Sequence, residues 1–451
     1  MSSNGTRRDA GHWVMEGPDG HLTKPRMAAF GKKMRILLVH QNFPGQFKHL
    51  GPALVARGNE VVAMGMRDLG DALKPDAQGR PSLWGMRYIY SQGRHNTTTS
   101  GHPWARDFDS KVIRGAATLD SAIALKAEGF EPDVILAHPA WGEAMFLKEV
   151  WPDARLALYC EMMYRTEGLD TGFDPEFPSP LDGITEHARL ILRALPQTML
   201  WEKAVGGLCP TQFQADTFRA PMADKIRVIH DGIDTTRVSP APAQEMRAST
   251  GHVFRPGDEI ITFVNRNLEP MRGYHRFMRA LPALLRRRPD AQVILVGGED
   301  VSYGARPAQG TWKQCFLDEV KDDLDMSRVH FAGWVPYDIY LNMLRLSKLH
   351  VYLTYPFVAS WSLLEAMAVG LPVLGSATGP VQEFIRDGEN GMLVDFFDGD
   401  GLVDAACTLL EDRALAARLG AAARQTAVDH YDLATVCLPR QLAWLDEVAR
   451  G

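Results

Sequence analysis

Short apolar runs recur along the chain, each closed by Gly, Pro or polar residues and followed by a stretch whose apolar positions fall at helical spacing. Such runs predict strands buried on both faces, and their alternation with helices predicts parallel βαβ units. From Arg35, ILLVH is a strand, NFPGQF a loop, HLGPALVARG a helix ended by Gly58, and EVVAM the next strand. Ser91 to Arg106, polar with three successive threonines, predicts a long surface loop, and Asp107 to Lys126 a helix. Asp133 to His138 and Ala154 to Cys160 are further strands; a helix from about Ile184 to Lys203 leads to GLCPT and then KIRVIHDGID. After the Pro-rich SPAPAQ the pattern restarts with the strand EIITFVNR, a helix from Gly273 to Arg287, the strands AQVILVGG and RVHFAGWVP, and a helix from Tyr337 to Ser347.

The pattern predicts an α/β chain of two doubly wound, Rossmann-like halves. Residues 1–33, polar and Gly-rich, are expected to form a poorly ordered extension, with Met27 and Met34 as alternative starts. A first domain over 34–238 and a second over 239–430 follow. The Ala-rich, helical end of the chain closes with a helix over 431–451, long enough to cross back to the first domain.

Val351 to Ser376 organises the second half as strand, loop, helix and strand. Val351 to Tyr355 predicts the strand and Phe357 to Ser360 the loop. Ser362 is expected to cap the helix, with Glu365 three residues on as in a capping box, and Gly370 with Pro372 ends it. A helix opening onto the carboxyl edge of a parallel sheet also binds anions, and a carboxylate beside it can accept hydrogen bonds from vicinal hydroxyls. Glu365 is thus a cap or the acceptor for a nucleotide's ribose, and both readings stand on the sequence.

Length and charge narrow the classes. The 451 residues exceed one ordinary core, and a formal charge of −6 argues against a protein built to coat nucleic acid. Five dispersed cysteines suit a reducing compartment, and no run is apolar enough for a membrane span or signal peptide, so a cytoplasmic protein is expected. Arg266 and Arg272 are either solvated charges or fixed cations for a leaving diphosphate. His138 and Glu143, after a strand, are structural hydrogen-bonders or groups that position a hydroxyl. Gly45 serves turn geometry or close approach of a ligand. Asp398-Gly399-Asp400 has the spacing of a divalent-metal motif but reads as turn chemistry, so no metal and no cofactor is expected. The basic run LLRRR, Leu284 to Arg288, suits a helix end and leaves peripheral contact with an anionic membrane open. HQNFPGQF lacks G-x-G-x-x-G, which disfavours a dinucleotide dehydrogenase.

With two such halves, FVNRNLEPMRG, YPFVASWSLLEAM and EFIRDGENGMLV, the chain resembles the family 4 glycosyltransferases of the GT-B fold over nearly everything after Met34. A narrower resemblance, carried by HQNFPGQF, HPAWGE, YCEMMY, FDPEFP and HDGID, is to a bacterial subgroup of that family. The resemblance implies two domains facing across a cleft. It implies a retaining transfer of sugar from a UDP- or GDP-linked donor to a hydroxyl acceptor, lipid-linked saccharides included, in bacterial polysaccharide or glycoconjugate synthesis. Arg266 and Arg272-Gly273 stand where the family has its Arg and Lys-Gly, and Glu365 is the second Glu of its Glu, seven residues, Glu pattern. Phe357 replaces the first Glu, and Glu161 replaces the family's usual His. The donor is therefore expected at Gly45, Arg266, Arg272, Ser360, Trp361, Ser362 and Glu365, and the acceptor at His138, Trp141, Glu143 and Glu161. Arg266, Arg272, Glu161 and His138 are the catalytic candidates. The alternatives are a nucleotide-sugar epimerase of the same fold and a non-catalytic nucleotide-sugar-binding protein, the latter motivated by the two replacements.

Overall fold

The computed structural model of the chain describes residues 33–70, 82–179 and 181–451. The expected N-terminal extension lies, apart from Lys33, outside the described residues. Among those described, the chain divides into one unit of 33–232 with 433–451 and another of 233–432.

The first unit is built on β1 (Arg35–Val39), β2 (Glu60–Gly65), β3 (Arg87–Tyr90), β4 (Val134–Ala137), β5 (Arg155–Tyr159), β6 (Ala204–Cys209) and β7 (Ile226–Val228). They form one parallel sheet in the order β3-β2-β1-β4-β5-β6-β7. Strand side chains alternate between faces, and here both faces are covered. Leu37 and Val39 pack with Ala122, Leu125 and Trp201, whereas Ile36 and Leu38 pack with Leu50, Leu54, Leu442 and Leu445. The last of these come from the C-terminal helix Leu438–Arg450, which buries Leu442, Trp444, Leu445 and Val448 against this sheet. Each large apolar side chain so buried contributes roughly 1.5–3 kcal/mol.

The second unit opens with a small antiparallel pair, β8 (Met246–Arg247) and β9 (Val253–Phe254). Its main sheet comprises β10 (Ile260–Asn267), β11 (Gln292–Gly298), β12 (Val329–Gly333), β13 (Leu349–Tyr352), β14 (Val373–Ser376) and β15 (Met392–Val394). The order is β12-β11-β10-β13-β14-β15, again parallel throughout. In both sheets chain order reverses between two central strands, β1 and β4 in the first and β10 and β13 in the second, and loops at such a switch point form a ligand crevice.

Several boundaries differ from the sequence reading. β13 begins two residues before Val351 and stops at Tyr352, because its register places Leu349 beside Ile261 and Val351 beside Phe263. Leu353, Thr354 and Tyr355 follow it in the loop, yet all three are buried. The long polar loop ends at His102, which caps a helix over Pro103–Ala127. The chain passes between units at Gly232–Ile233 and again at Asp432–Leu433, and Ile233 pairs with Asp432 as a parallel bridge. All five cysteines are free thiols, and no described helix is long and apolar enough to cross a membrane.

Candidate active site

In the 233–432 unit, the loop after β10 makes a short turn at Pro270–Arg272 and enters the helix Tyr274–Arg287 through Gly273, whose φ is +69°. A Cβ on Gly273 would stand 2.3 Å from Leu353 Cβ, so glycine lets this loop meet the one after β13. Across that contact Arg272 Nη1 donates to Thr354 Oγ1 at 2.9 Å and to the Val358 carbonyl at 2.8 Å. The guanidinium is also 5.2 Å from the Tyr303 ring centroid and 5.5 Å from that of Phe357. Burial alone would lower its pKa; the Tyr352 and Tyr303 hydroxyls and Glu269 outweigh burial and hold it above the ordinary value. Arg266, on β10, is exposed.

Glu269, missed in the sequence, is 0% exposed. Its Oε2 accepts from the Ser302 and Tyr303 backbone N–H groups at 3.0 and 3.1 Å, while Asn267 Nδ2 donates to Ser302 Oγ at 2.7 Å. Burial raises the Glu269 carboxyl, offset in part by those N–H groups and by Arg272 and Arg266. The two side chains thereby hold in place the loop that carries Tyr303.

The helix after β13 spans Trp361–Val369, and its cap is Ser360 rather than Ser362: Ser360 Oγ accepts from the Ser362 N–H at 3.3 Å. Nor does Glu365 close a capping box. It turns away from the helix start, accepting from the Tyr337 hydroxyl at 2.7 Å on one oxygen and from Tyr340 at 2.8 Å on the other. Burial first, and then Glu365, push both tyrosines well above their ordinary pKa. Trp361 is half-buried. Asp398 caps the helix Gly399–Glu411 through the Gly401 N–H at 2.8 Å, the turn chemistry expected of that triplet. Within the basic run Arg287 pairs with Asp404 and Arg288 with Glu259 and Glu411, while Arg286 is exposed.

In the first unit, His40 follows β1, His138 follows β4 and Glu161 lies just beyond β5. Gln46 bridges them: His40 Nε2 meets Gln46 Oε1 at 2.6 Å, and Gln46 Nε2 donates to Glu161 Oε1 at 3.1 Å. His138 Nε2 is 3.4 Å from Glu161 Oε2. Trp141 stacks on His138 at 3.9 Å and meets His40 edge-on at 5.1 Å. Burial, joined by His138, lowers the His40 pKa to about 3. Gly45 has φ +46°, and a Cβ there would fall 2.3 Å from His40 Cε1, so its own turn and the His40 ring account for the glycine.

Glu143 is 1% exposed, with Oε1 3.4 Å from Arg114 Nε, and burial raises its carboxyl above 4.5. Gly142 beside it has φ +105°, and a Cβ there would stand 2.2 Å from the Lys111 carbonyl. His138, Trp141 and Glu161 are therefore in one cluster, whereas Glu143 is turned into the packing against the helix Pro103–Ala127. His40 and Gln46 complete the cluster unpredicted. The signal available was that His40 and His138 end the two strands at the switch point.

A profile of the glycosyl transferase family 4 group matches residues 57–238, and one of glycosyl transferases group 1 matches 247–426. The D-inositol 3-phosphate glycosyltransferase of Nocardia farcinica is 32% identical over 200 residues, 44% of this chain and 42% of that protein. The chain thus spans less than half the length of this relative. The glycogen synthase of Mycobacterium tuberculosis is 24% identical over 418 residues, 89% of this chain and 92% of that one. Among solved structures, Anabaena Alr3699/HepE in complex with UDP-glucose matches with a TM-score of 0.63 at 17% identity, over 92% of this chain and 100% of that chain, a likeness of fold. A glycosyltransferase profile thus matches most of each unit, and with a doubly wound parallel sheet in each the chain has the GT-B fold and is similar to the family 4 and group 1 glycosyltransferases.

Proposed function

We propose that the chain is a retaining glycosyltransferase that moves a sugar from a UDP- or GDP-linked donor to a hydroxyl acceptor. The observation that carries this is Arg272, a guanidinium 5% exposed and fixed by Thr354 and Val358 at the carboxyl edge of its sheet. Breaking a sugar–diphosphate bond places negative charge on the leaving group. A cation already oriented in a low-dielectric site stabilises that charge without reorganising. Arg266 adds a second cation from β10, so no metal is needed for that task. Glu365 supplies an acceptor for ribose hydroxyls, and the UDP-glucose complex of the Anabaena protein indicates the class of donor. In the other unit Glu161, with His138 and Trp141, orients the acceptor hydroxyl, whose proton passes finally to the leaving phosphate. Arg287 and Arg288 are paired with carboxylates and Arg286 is exposed, so peripheral contact of LLRRR with an anionic membrane stays open.

A second reading, a protein that binds nucleotide sugars without transferring them, draws on Glu365: both its oxygens already accept tyrosine hydroxyls. One experiment separates the two. Only a ligand bound to the native state raises the melting temperature, so UDP and GDP are screened first. Release of UDP from UDP-glucose, or of GDP from GDP-mannose, is then followed in wild type and Arg272→Ala. Turnover lost in the variant supports the transferase, stabilisation without turnover supports the binding protein, and no stabilisation overturns both.

A further inference from the structure

The histidines at the switch point of the first sheet have their protons fixed by geometry. His40 Nδ1 accepts the Asn42 N–H at 3.0 Å, and His138 Nδ1 accepts the Ala140 N–H at 3.3 Å. A ring that accepts at Nδ1 carries its proton on Nε2. For His40 a second, independent constraint gives the same answer. A carboxylate only accepts, so Gln46 must turn its amide nitrogen to Glu161 and its oxygen to His40, and an amide oxygen requires a donor at His40 Nε2.

Neither ring then has a lone pair to offer a substrate. One nitrogen is engaged by a backbone N–H and the other carries the hydrogen. Trp141, stacked on His138 and edge-on to His40, together with the 5.4 Å edge contact between the two histidines, leaves little room for either ring to turn. The main chain of Glu161 is held as well, its carbonyl accepting from Gln214 Nε2 at 2.6 Å. The Glu161 side chain itself is 29% exposed.

We propose that His40 is a positioning residue acting on Glu161 through Gln46, so that His40 and His138 between them hold the carboxylate by its two oxygens and aim it at an acceptor hydroxyl. The aim at a hydroxyl rests on the transferase reading above; the relay itself does not. His138 is accordingly a donor to Glu161 and not the base.

Long-range proton–nitrogen spectra of ¹⁵N-labelled protein test the relay without any substrate. His40 and His138, assigned by the signals lost in His40→Asn and His138→Asn, should both show the Nε2–H tautomer. Glu161→Gln weakens the acceptor, so the Nε2 proton of His138 should move upfield, and that of His40 should follow through Gln46. In Gln46→Met the His40 response to Glu161→Gln should vanish while that of His138 remains. An Nδ1–H tautomer in either ring, or a His40 signal indifferent to Glu161→Gln, overturns the relay. Affinity for UDP and GDP, measured on the same proteins, tests the transferase reading separately and should not change in His40→Asn. On whichever donor the protein consumes, His40→Asn and Gln46→Met should each slow turnover roughly tenfold or more. Their double variant should be no slower than the worse single, and additive losses would overturn action through Gln46.

Discussion

The Tyr340 hydroxyl donates to Glu365 at 2.8 Å, and both residues are buried. The other Glu365 oxygen is held at 2.7 Å by Tyr337, which is 39% exposed. The two bonds are therefore not equivalent. Ribose hydroxyls approaching Glu365 can displace the exposed tyrosine and not the buried one. Tyr337→Phe should tighten UDP or GDP binding by about two- to tenfold, the value of one hydrogen bond at roughly 0.5–1.5 kcal/mol. Tyr340→Phe should instead cost stability, on the order of 1–3 kcal/mol, because a buried carboxylate loses a donor. Calorimetric titration decides: weaker binding in Tyr337→Phe would mean that its hydroxyl orients Glu365 and does not compete.

The arginines should separate in the same way. Arg272→Ala removes the partner of Thr354 Oγ1 and the Val358 carbonyl as well as a cation, so both turnover and melting temperature should fall, turnover by about a hundredfold or more. Arg272→Lys keeps the charge without the planar fork and should recover only part of the rate. Arg266 is exposed, and Arg266→Ala should slow turnover while leaving the melting temperature nearly unchanged. Equal thermal losses in the two alanine variants would show that both residues act through the fold.

The sequence made the two sheets readable because strands buried on both faces are continuous apolar runs, as in β1, β4, β10 and β11. β3 was not readable: Arg87–Tyr90 is only partly buried and carries no such run. The cap was misplaced by two residues because Ser360 and Ser362 are chemically alike, and only the φ and ψ of Ser360 distinguish them. Candidate residues that belong to recognisable spacings, such as Arg272 and Glu365, could be proposed. Their partners could not, since Gln46 reaches Glu161 across 115 residues and Arg272 reaches Thr354 across 82. Glu269 lies within FVNRNLEPMRG, but nothing short of the folded loop shows that it holds the backbone at Ser302 and Tyr303.

Stability should fall with acid through the buried histidines. Burial lowers His350 from 6.5 to about 3, and His230 and His330 to about 4. The unfolded chain therefore takes up protons first as pH falls, so this stability is present above about pH 6.5 and is lost progressively below it. Glu143 and Glu269 act in the opposite sense: their carboxyls are raised above 4.5, so ionising them weakens the fold as pH rises through that window. His350 is 0% exposed, with Nδ1 3.1 Å from Thr262 Oγ1. In His350→Gln, urea unfolding between pH 6.5 and 4 should show a pH slope smaller by up to about 1.4 kcal/mol per pH unit, one proton's worth. An unchanged slope would mean that His350 is protonated in the native state.

Two glycines with nearly the same backbone angle separate conformational strain from crowding. Gly273 has φ +69° and Gly388 has φ +71°. Alanine at either must adopt the left-handed conformation, at roughly 1–2 kcal/mol. A Cβ on Gly388 would meet nothing within 4 Å, so Gly388→Ala should cost that amount and no more. At Gly273 the added carbon would lie 2.3 Å from Leu353 Cβ and 3.2 Å from the Phe396 ring, so the loops after β10 and β13 must part. Those loops carry Arg272 and its acceptors, Thr354 and Val358. Gly273→Ala should therefore lose clearly more stability than Gly388→Ala and, unlike it, should weaken UDP or GDP binding in the protein that remains folded. Chemical denaturation gives the first comparison and ligand titration below the unfolding transition gives the second. Matching losses in the two variants, with nucleotide affinity intact in both, would show that the loops part without moving Arg272 and that Gly273 is required for its backbone angle alone.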